Sequence, residues 1–274
     1  MDNKGSLIRE MAKAKINERH RDEPIMGFVT DPPKNTRYSL ADGIAENETT
    51  GMDYNIQLTC KEDKPRVLKF LRRFFFRDEP LNHSIELIPE GEDSTCLELE
   101  EYSLSALMDN LSLMAVSSNG SIIGVQLNGK MEAAPDEGEP EYITNCKNPK
   151  FRKILRLLHH VDKKVDIPSR YPKKKVLEIR IISVDSNWRG QGVAGALIEK
   201  TIEIARELGF HLIRSDCTSL FSGKLCKRYG FEPVYELRYA DYVDENGKPI
   251  FTPAKPHDAV MTYVKLLNEE SNEN

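Results

Sequence analysis

The sequence predicts an α/β fold of mixed α+β character, with one central mixed sheet of about seven strands flanked by helices. Three observations predict it. Leu177–Gly195 reads LEIRIISVDSNWRGQGVAG, an alternating apolar strand that passes through a polar, Gly-rich turn into a helical pattern. Leu212–Cys217 repeats the strand-then-helix order, so the second half is built of βα units. Asn119-Gly120 between the alternating runs Leu113–Ser117 and Ile122–Asn128 is a hairpin signal, which puts antiparallel pairing in the first half.

The chain of 274 residues, 39% hydrophobic and 30% charged, is long enough for a sizeable core. Its net charge of −5 argues against nucleic acid or an anionic membrane as partner. The basic runs Arg72-Arg73, Lys163-Lys164 and Lys173–Lys175 are short and read as solvated surface. No run approaches the ~20 apolar residues of a membrane span, and the N-terminus has no apolar signal core. Cys60, Cys96, Cys146, Cys217 and Cys226 form no C-x-x-C pair. They read as reduced thiols of a cytosolic protein, neither zinc cluster nor disulfide framework.

Residues 1–53 read as a disordered leader, since Thr30–Lys34 is TDPPK and Ala41–Met52 is acidic and nearly core-free. Tyr54–Leu58 alternates as a first strand. A helix then runs from Lys64 to Phe76 with Val67, Leu71, Phe74 and Phe75 on one face, and Pro80 stops it. The carboxylates Asp78 and Glu79 are left at the end of an aromatic-rich helix, where the dipole disfavours negative charge. One reading is a solvated acidic loop. The other is a carboxylate desolvated by Phe75, Phe76 and Leu81, its pKa raised into the range of a general base.

A less regular helix covers Leu97–Leu107, an acidic loop covers 132–148, and Phe151, Ile154, Leu155, Leu158, Val161 and Val165 keep helical spacing. His159 and His160 fall on that helix as core edge and surface. Val193, Leu197, Ile198, Ala205 and Leu208 mark a helix closed by Gly209, and Thr218-Ser219 opens another that closes at Gly230. Phe231–Ala240 and Val260–Leu267 are the last strands. The domain therefore spans 54–267, with 268–274 a flexible tail.

A strand feeding a Gly-rich turn at a helix start is an anion site, because backbone N–H groups and the helix dipole both face the turn. This turn lacks the GK[ST] ending of a triphosphate loop and does not fit G-x-G-x-x-G. It fits Arg-x-x-Gly-x-Ala as Arg189, Gly192 and Ala194. That pattern resembles the pyrophosphate-binding motif of the GNAT superfamily of acyl-CoA-dependent N-acetyltransferases, and the order of elements over 54–267 is similar to its fold. Phe75-Phe76-Arg77-Asp78-Glu79-Pro80-Leu81-Asn82 resembles the motif of the insect arylalkylamine N-acetyltransferases, the dopamine N-acetyltransferase group. Ile182–Gly190, Ala240-Asp241-Tyr242 and Ala254-Lys255-Pro256-His257 resemble that group as well.

The resemblance implies acetyl-CoA as cosubstrate, no metal, and direct attack by the amine. Glu79 would be the general base, acting through ordered water, with Asp78, Phe75 and Pro80 on the amine's side. Ile182, Ser183 and Val184 would meet the pantetheine arm. Arg189, Gly190, Gln191, Gly192, Val193, Ala194 and Gly195 would hold the pyrophosphate, with Ser219 beside the cofactor. Thr218 and Ser222 would lie near the departing thiolate. Threonine stands where relatives resemble a serine, and Cys226 where many superfamily members carry an acidic tyrosine, which shifts that role to Ser222. Taken without the resemblance, Ser222 is equally a helix serine bonding back to a carbonyl, and Thr218-Ser219 an N-cap.

The implied substrates are dopamine, tyramine, octopamine, serotonin or tryptamine, whose cationic aromatic bodies suit carboxylates and phenylalanines. A polyamine or agmatine acetyltransferase and a non-catalytic acyl-CoA-binding module are the alternatives, and protein lysine acetylation is a weaker one. The chain is read as a cytoplasmic monomer whose partners are the amine and acetyl-CoA, with no nucleic acid and no membrane. Deleting residues 1–50 is expected to leave the melting temperature unchanged and to alter kcat/KM by less than roughly tenfold, ~1.4 kcal/mol. Thermal melts and steady-state kinetics of full-length and truncated protein check this.

Overall fold

Seven strands form one sheet in the order β1-β2-β3-β4-β5-β7-β6. They are β1 Tyr54–Leu58, β2 Leu113–Ser117, β3 Ile122–Lys130, β4 Val176–Val184, β5 Leu212–Cys217, β6 Glu232–Arg238 and β7 Ala259–Leu266. The computed structural model describes residues 54–91, 94–131 and 138–267. The expected leader 1–53, the tail 268–274 and part of the 132–148 loop lie outside the described residues. β4 and β5 are parallel, and the other neighbouring pairs are antiparallel. The β2–β3 hairpin turns at Asn119-Gly120, with Gly120 at φ 83°. Only glycine adopts that conformation without strain.

β4 departs from simple alternation. Leu127 of β3 faces Ile181 and Asn128 faces Ile179, so Arg180 is an extra residue on β4. A one-residue bulge reverses which face the following side chains occupy. Leu177 and Ile179 pack on one face of the sheet, whereas Ile181 packs on the other, with Val176. The alternating residues Leu177, Ile179 and Ile181 are all buried, as a buried strand requires, but the bulge divides them between the two faces. β4 pairs with β5 only from Val176 to Ile179, opposite Leu212 to Ser215. Beyond that point the two parallel strands part.

Helices cover both faces. α1 (Lys64–Phe74), α2 (Pro80–Ser84), α3 (Leu97–Ser105), α4 (Glu141–Thr144), α5 (Pro149–Val165) and α6 (Ile167–Arg170) precede β4. α7 (Val193–Glu207) and α8 (Leu220–Arg228) follow β4 and β5. α1 and α5 bury Val67, Phe70, Leu71, Phe151, Leu155 and Val161 on one face, while α7 buries Val193, Leu197, Ile198 and Ala205 on the other. Gly209 closes α7 at φ 66° as expected. Phe75 and Phe76 follow α1 in a turn, so the helix is two residues shorter than its apolar pattern suggests.

A buried polar group fastens α7 to the sheet. Thr201 Oγ1 accepts hydrogen bonds from Gln126 Nε2 and Asn128 Nδ2, and all three residues are at most 1% exposed. Thr201→Val is isosteric and leaves two buried donors short of an acceptor. It is expected to destabilise the fold by ~1–3 kcal/mol, read from chemical denaturation against the wild type.

Candidate active site

Two aromatic residues and a proline shape the chain after α1. The N–H groups of Phe75 and Phe76 both donate to Leu71 O, at 2.9 and 2.8 Å, which ends the helix. Pro80 then opens α2 at the first helical position, where its missing N–H costs nothing. The sequence expectation that Pro80 merely stops a helix is corrected: it begins one. Glu79 is the N-cap, and its Oε2 accepts from Asn82 N at 2.7 Å. The carboxylate therefore sits against free N–H groups, where negative charge is favoured, instead of at a helix C-terminus. Asn82 Nδ2 donates to Phe76 O at 3.0 Å and locks the segment.

Glu79 is only 9% exposed, beside Phe76 and Leu81 at 1% each. Burial raises its pKa, against the N–H groups of Asn82 and Leu81 and the Thr218 hydroxyl, which favour the charged form. Its Oε1 is buried and has no hydrogen-bond partner of good geometry among the described residues. A solvated acidic loop is excluded for Glu79. Asp78, in contrast, is half-exposed and pairs with Arg189 Nη2 at 2.7 Å.

Glu79 lines a cavity of about 110 Å³. Phe75 and Thr218 stand near it on the wall, and Phe151, Leu155 and Leu158 of α5 supply an apolar side. Asp78 and Pro80 are not on that wall. The cavity also reaches Tyr102, Tyr142, Asp162, Glu178, Arg180 and Asp216, none of which the sequence pattern marked. The one signal for them was polar Glu178 and Arg180 inside an apolar strand; alternation puts Glu178 on the Val176 face, and the bulge at Arg180 adds Ile181 to it.

On the other side of β4, its divergence from β5 leaves the Ile182–Val184 backbone paired to β3 alone. Ser183 Oγ donates to Phe74 O at 3.1 Å, tying this strand end to the approach to Glu79. The turn that follows reaches α7 through Gly190 and Gly192, at φ 80° and 81°. α5 and α8 are capped by the side chains of Asn148 and Ser219, whereas α7 starts at Gly192 without a side-chain cap. Its first N–H groups are thus left for an anion. Arg189 Nε donates to Val184 O at 3.2 Å, and Gln191 Nε2 to Asn187 O at 3.0 Å. Val193 is buried in the core and Ala194 half-buried. Gly195 is buried for a packing reason: a Cβ there would meet the Tyr229 hydroxyl at 2.0 Å.

The hydroxyls divide between two jobs. Ser219 is the N-cap of α8: its Oγ accepts from Ser222 N at 3.1 Å and shares a hydrogen bond with Ser222 Oγ at 2.9 Å. Thr218 is not a cap; it lines the cavity beside Glu79, and its carbonyl accepts from Tyr239 Oη at 2.7 Å. Ser222 Oγ also bonds back to Ser219 O at 2.9 Å. Cys226 is buried with its sulfur 3.6 Å from that of Cys217.

Residues 154–231 match the model of the acetyltransferase (GNAT) family. The fold is similar to that of arylalkylamine N-acetyltransferase 2 from Aedes aegypti, at 37% identity and a TM-score of 0.74, over 79% of this chain and 100% of that one. Mosquito arylalkylamine N-acetyltransferase like 5b is 28% identical with a TM-score of 0.70, over 78% of this chain and all (100%) of that one. The Drosophila melanogaster polyamine N-acetyltransferase, which forms N-acetylagmatine, is 26% identical with a TM-score of 0.67, over 78% and 100%. With the parted β4 and β5 and the uncapped helix start in place, the chain, similar to insect arylalkylamine N-acetyltransferases, belongs to the GNAT acetyltransferase family and is an acyltransferase acting on amines.

Proposed function

We propose that the enzyme acetylates the primary amine of arylalkylamines, with Glu79 as general base. One observation carries the reading: a carboxylate nine-tenths buried, with an oxygen that has no well-formed hydrogen bond among the described residues, lines an aromatic and apolar cavity. An arylalkylamine arrives as an ammonium and cannot attack until it loses a proton. Glu79 in its ionised form takes that proton, directly or through one water. The phenyl face of Phe75 and the apolar side of α5 suit the aromatic body.

Acetyl-CoA supplies the thioester when bound. The Ile182–Val184 backbone would lie along its pantetheine arm, and the N–H groups from Arg189 to Gly195 would take the pyrophosphate. Arg189 would then exchange Asp78 for phosphate, an easy exchange because exposed ion pairs contribute only ~0–1 kcal/mol. Ser222 is assigned to protonate the departing sulfur, with Thr218 holding Glu79. A diamine substrate is the second reading, favoured by the carboxylates Asp162, Glu178 and Asp216 on the cavity wall. The buried base speaks against a module that only binds acyl-CoA, since such a carboxylate costs stability without catalysis. Kinetics over an amine panel with acetyl-CoA test the substrate class.

Glu79→Gln is expected to keep acetyl-CoA affinity and to lower kcat/KM by ~10²–10⁴ near neutral pH. Because burial raises the Glu79 pKa, the base form appears only as pH climbs through that raised value. Wild-type kcat/KM should therefore rise with pH across it, and the variant should lose this limb and recover only towards the amine's own pKa. The same sign governs stability. A folded-state pKa above the unfolded one means stability is lost as pH rises, so the variant should gain in melting temperature relative to wild type as pH climbs through the raised Glu79 value. Wild-type rates in the variant would remove Glu79 from the role of base.

Gly192→Val is expected to weaken acetyl-CoA binding by at least tenfold, measured by calorimetric titration. Nothing crowds a Cβ at this position, so the effect comes from the positive φ that a branched residue resists, which tilts the first N–H groups of α7. Unchanged affinity in a folded variant would remove the phosphate assignment.

A further inference from the structure

The cavity that holds Glu79 also has a charged end. Arg214, 1% exposed, pairs with Asp162 of α5 and with Asp216 of β5, the latter at 2.6 Å. Thr262 Oγ1 donates to Asp216 Oδ1 at 2.6 Å. On β4, Arg180 Nε donates to Glu178 Oε2 at 2.9 Å. Three carboxylates thus face two guanidiniums, one negative charge in excess. Within this group Asp162 is the accessible member, with 30% of its side chain exposed against 14% for Asp216. Burial pushes the Asp162 carboxyl up to about 6, helped by Asp216 and Glu178 and opposed by Arg214. It is an acceptor at neutral pH.

Glu79 and Asp162 line the same cavity. Thr218, beside Glu79, lies just past the end of β5, two residues after Asp216. Glu79 Oε1, nine-tenths buried and without a well-formed hydrogen bond among the described residues, marks the end that takes the amine. Between the ends run Leu155, Leu158 and the tyrosines 102 and 142. This apolar and aromatic stretch suits a benzene ring.

We propose that Asp162 is a specificity-determining residue that accepts a hydrogen bond from a ring hydroxyl at the remote end of the amine substrate. The inference rests on the arylalkylamine reading above and selects phenolic members of that class. A neutral donor can bond to Asp162 without displacing its ion pair with Arg214. A hydroxyl needs only an acceptor, and a bond to a carboxylate is among the stronger ones. An acceptor that a bound ring covers also penalises any ligand that leaves it unpaired.

The experiment compares kcat/KM for tyramine, phenethylamine, 4-methoxyphenethylamine and agmatine in wild type, Asp162→Asn and Asp162→Ala. In wild type, tyramine should exceed phenethylamine by roughly 10- to 100-fold, the range of a hydrogen bond to a charged group. The methoxy compound, which matches tyramine in shape but cannot donate, should fall with phenethylamine. The preference should shrink in Asp162→Asn and vanish in Asp162→Ala. Because each ratio is taken within one protein, partial unfolding does not distort it, and Asp162→Asn keeps the shape beside Arg214 should the alanine variant fail to fold. Equal use of tyramine and phenethylamine by wild type, or an undiminished preference in Asp162→Asn and Asp162→Ala, overturns the proposal and leaves the arylalkylamine reading intact. Agmatine preferred over every arylalkylamine overturns both.

Discussion

The parting of β4 from β5 after Ile179 is the constraint on which the rest of this protein depends. Parallel strands satisfy one another's backbone groups, and separating them inside a sheet is costly unless something else uses the freed edge. Here the bulge at Arg180 turns β4 just as pairing ends, and β3 keeps its hold on the other side up to Val184. The result is an edge within the sheet, with Ile182–Val184 running past the approach to Glu79 and ending at an uncapped helix. An acyl donor and an amine can then meet from opposite sides of one strand.

Charge is handled differently on the two sides. At the turn before α7 the charges are exposed: Arg189 and Asp78 are each about half-exposed (51% and 53%) and bind one another loosely. Towards the amine, the groups are buried and fixed. Glu79 is held by the N-terminus of a short helix, and Arg214 by carboxylates from α5 and β5. Burial raises the pKa values of both Glu79 and Asp162, yet their surroundings part their uses. Glu79 has apolar neighbours and an oxygen without a well-formed hydrogen bond among the described residues, which suits proton transfer. Asp162 stays next to a guanidinium, which suits recognition.

Much of this was legible in the sequence. The seven strands, the hairpin at Asn119-Gly120 and the helix from Phe151 to Val165 follow from local periodicity and turn chemistry, and all of them form. Glu79 was legible too, because a carboxylate between Phe76 and Leu81 has few ways to stay in water. The helical context of Glu79 was misread, since Pro80 can end one helix or begin the next and the local sequence permits both.

What the sequence determined by itself was therefore the set of elements and the residues with chemistry near the central motifs. Those depend on contacts within about twenty residues, where the spacing of side chains is visible. Only the tertiary structure decided which face of β4 Ile181 takes, and that Tyr102, Asp162, Glu178 and Asp216 surround one cavity with Glu79. A bulge is a single added residue that leaves no mark on the apolar pattern, and α3, α5 and β5 are brought together by the order of strands in the sheet. The physical reason is that local periodicity encodes which residues are buried, whereas long-range packing alone encodes which of them meet.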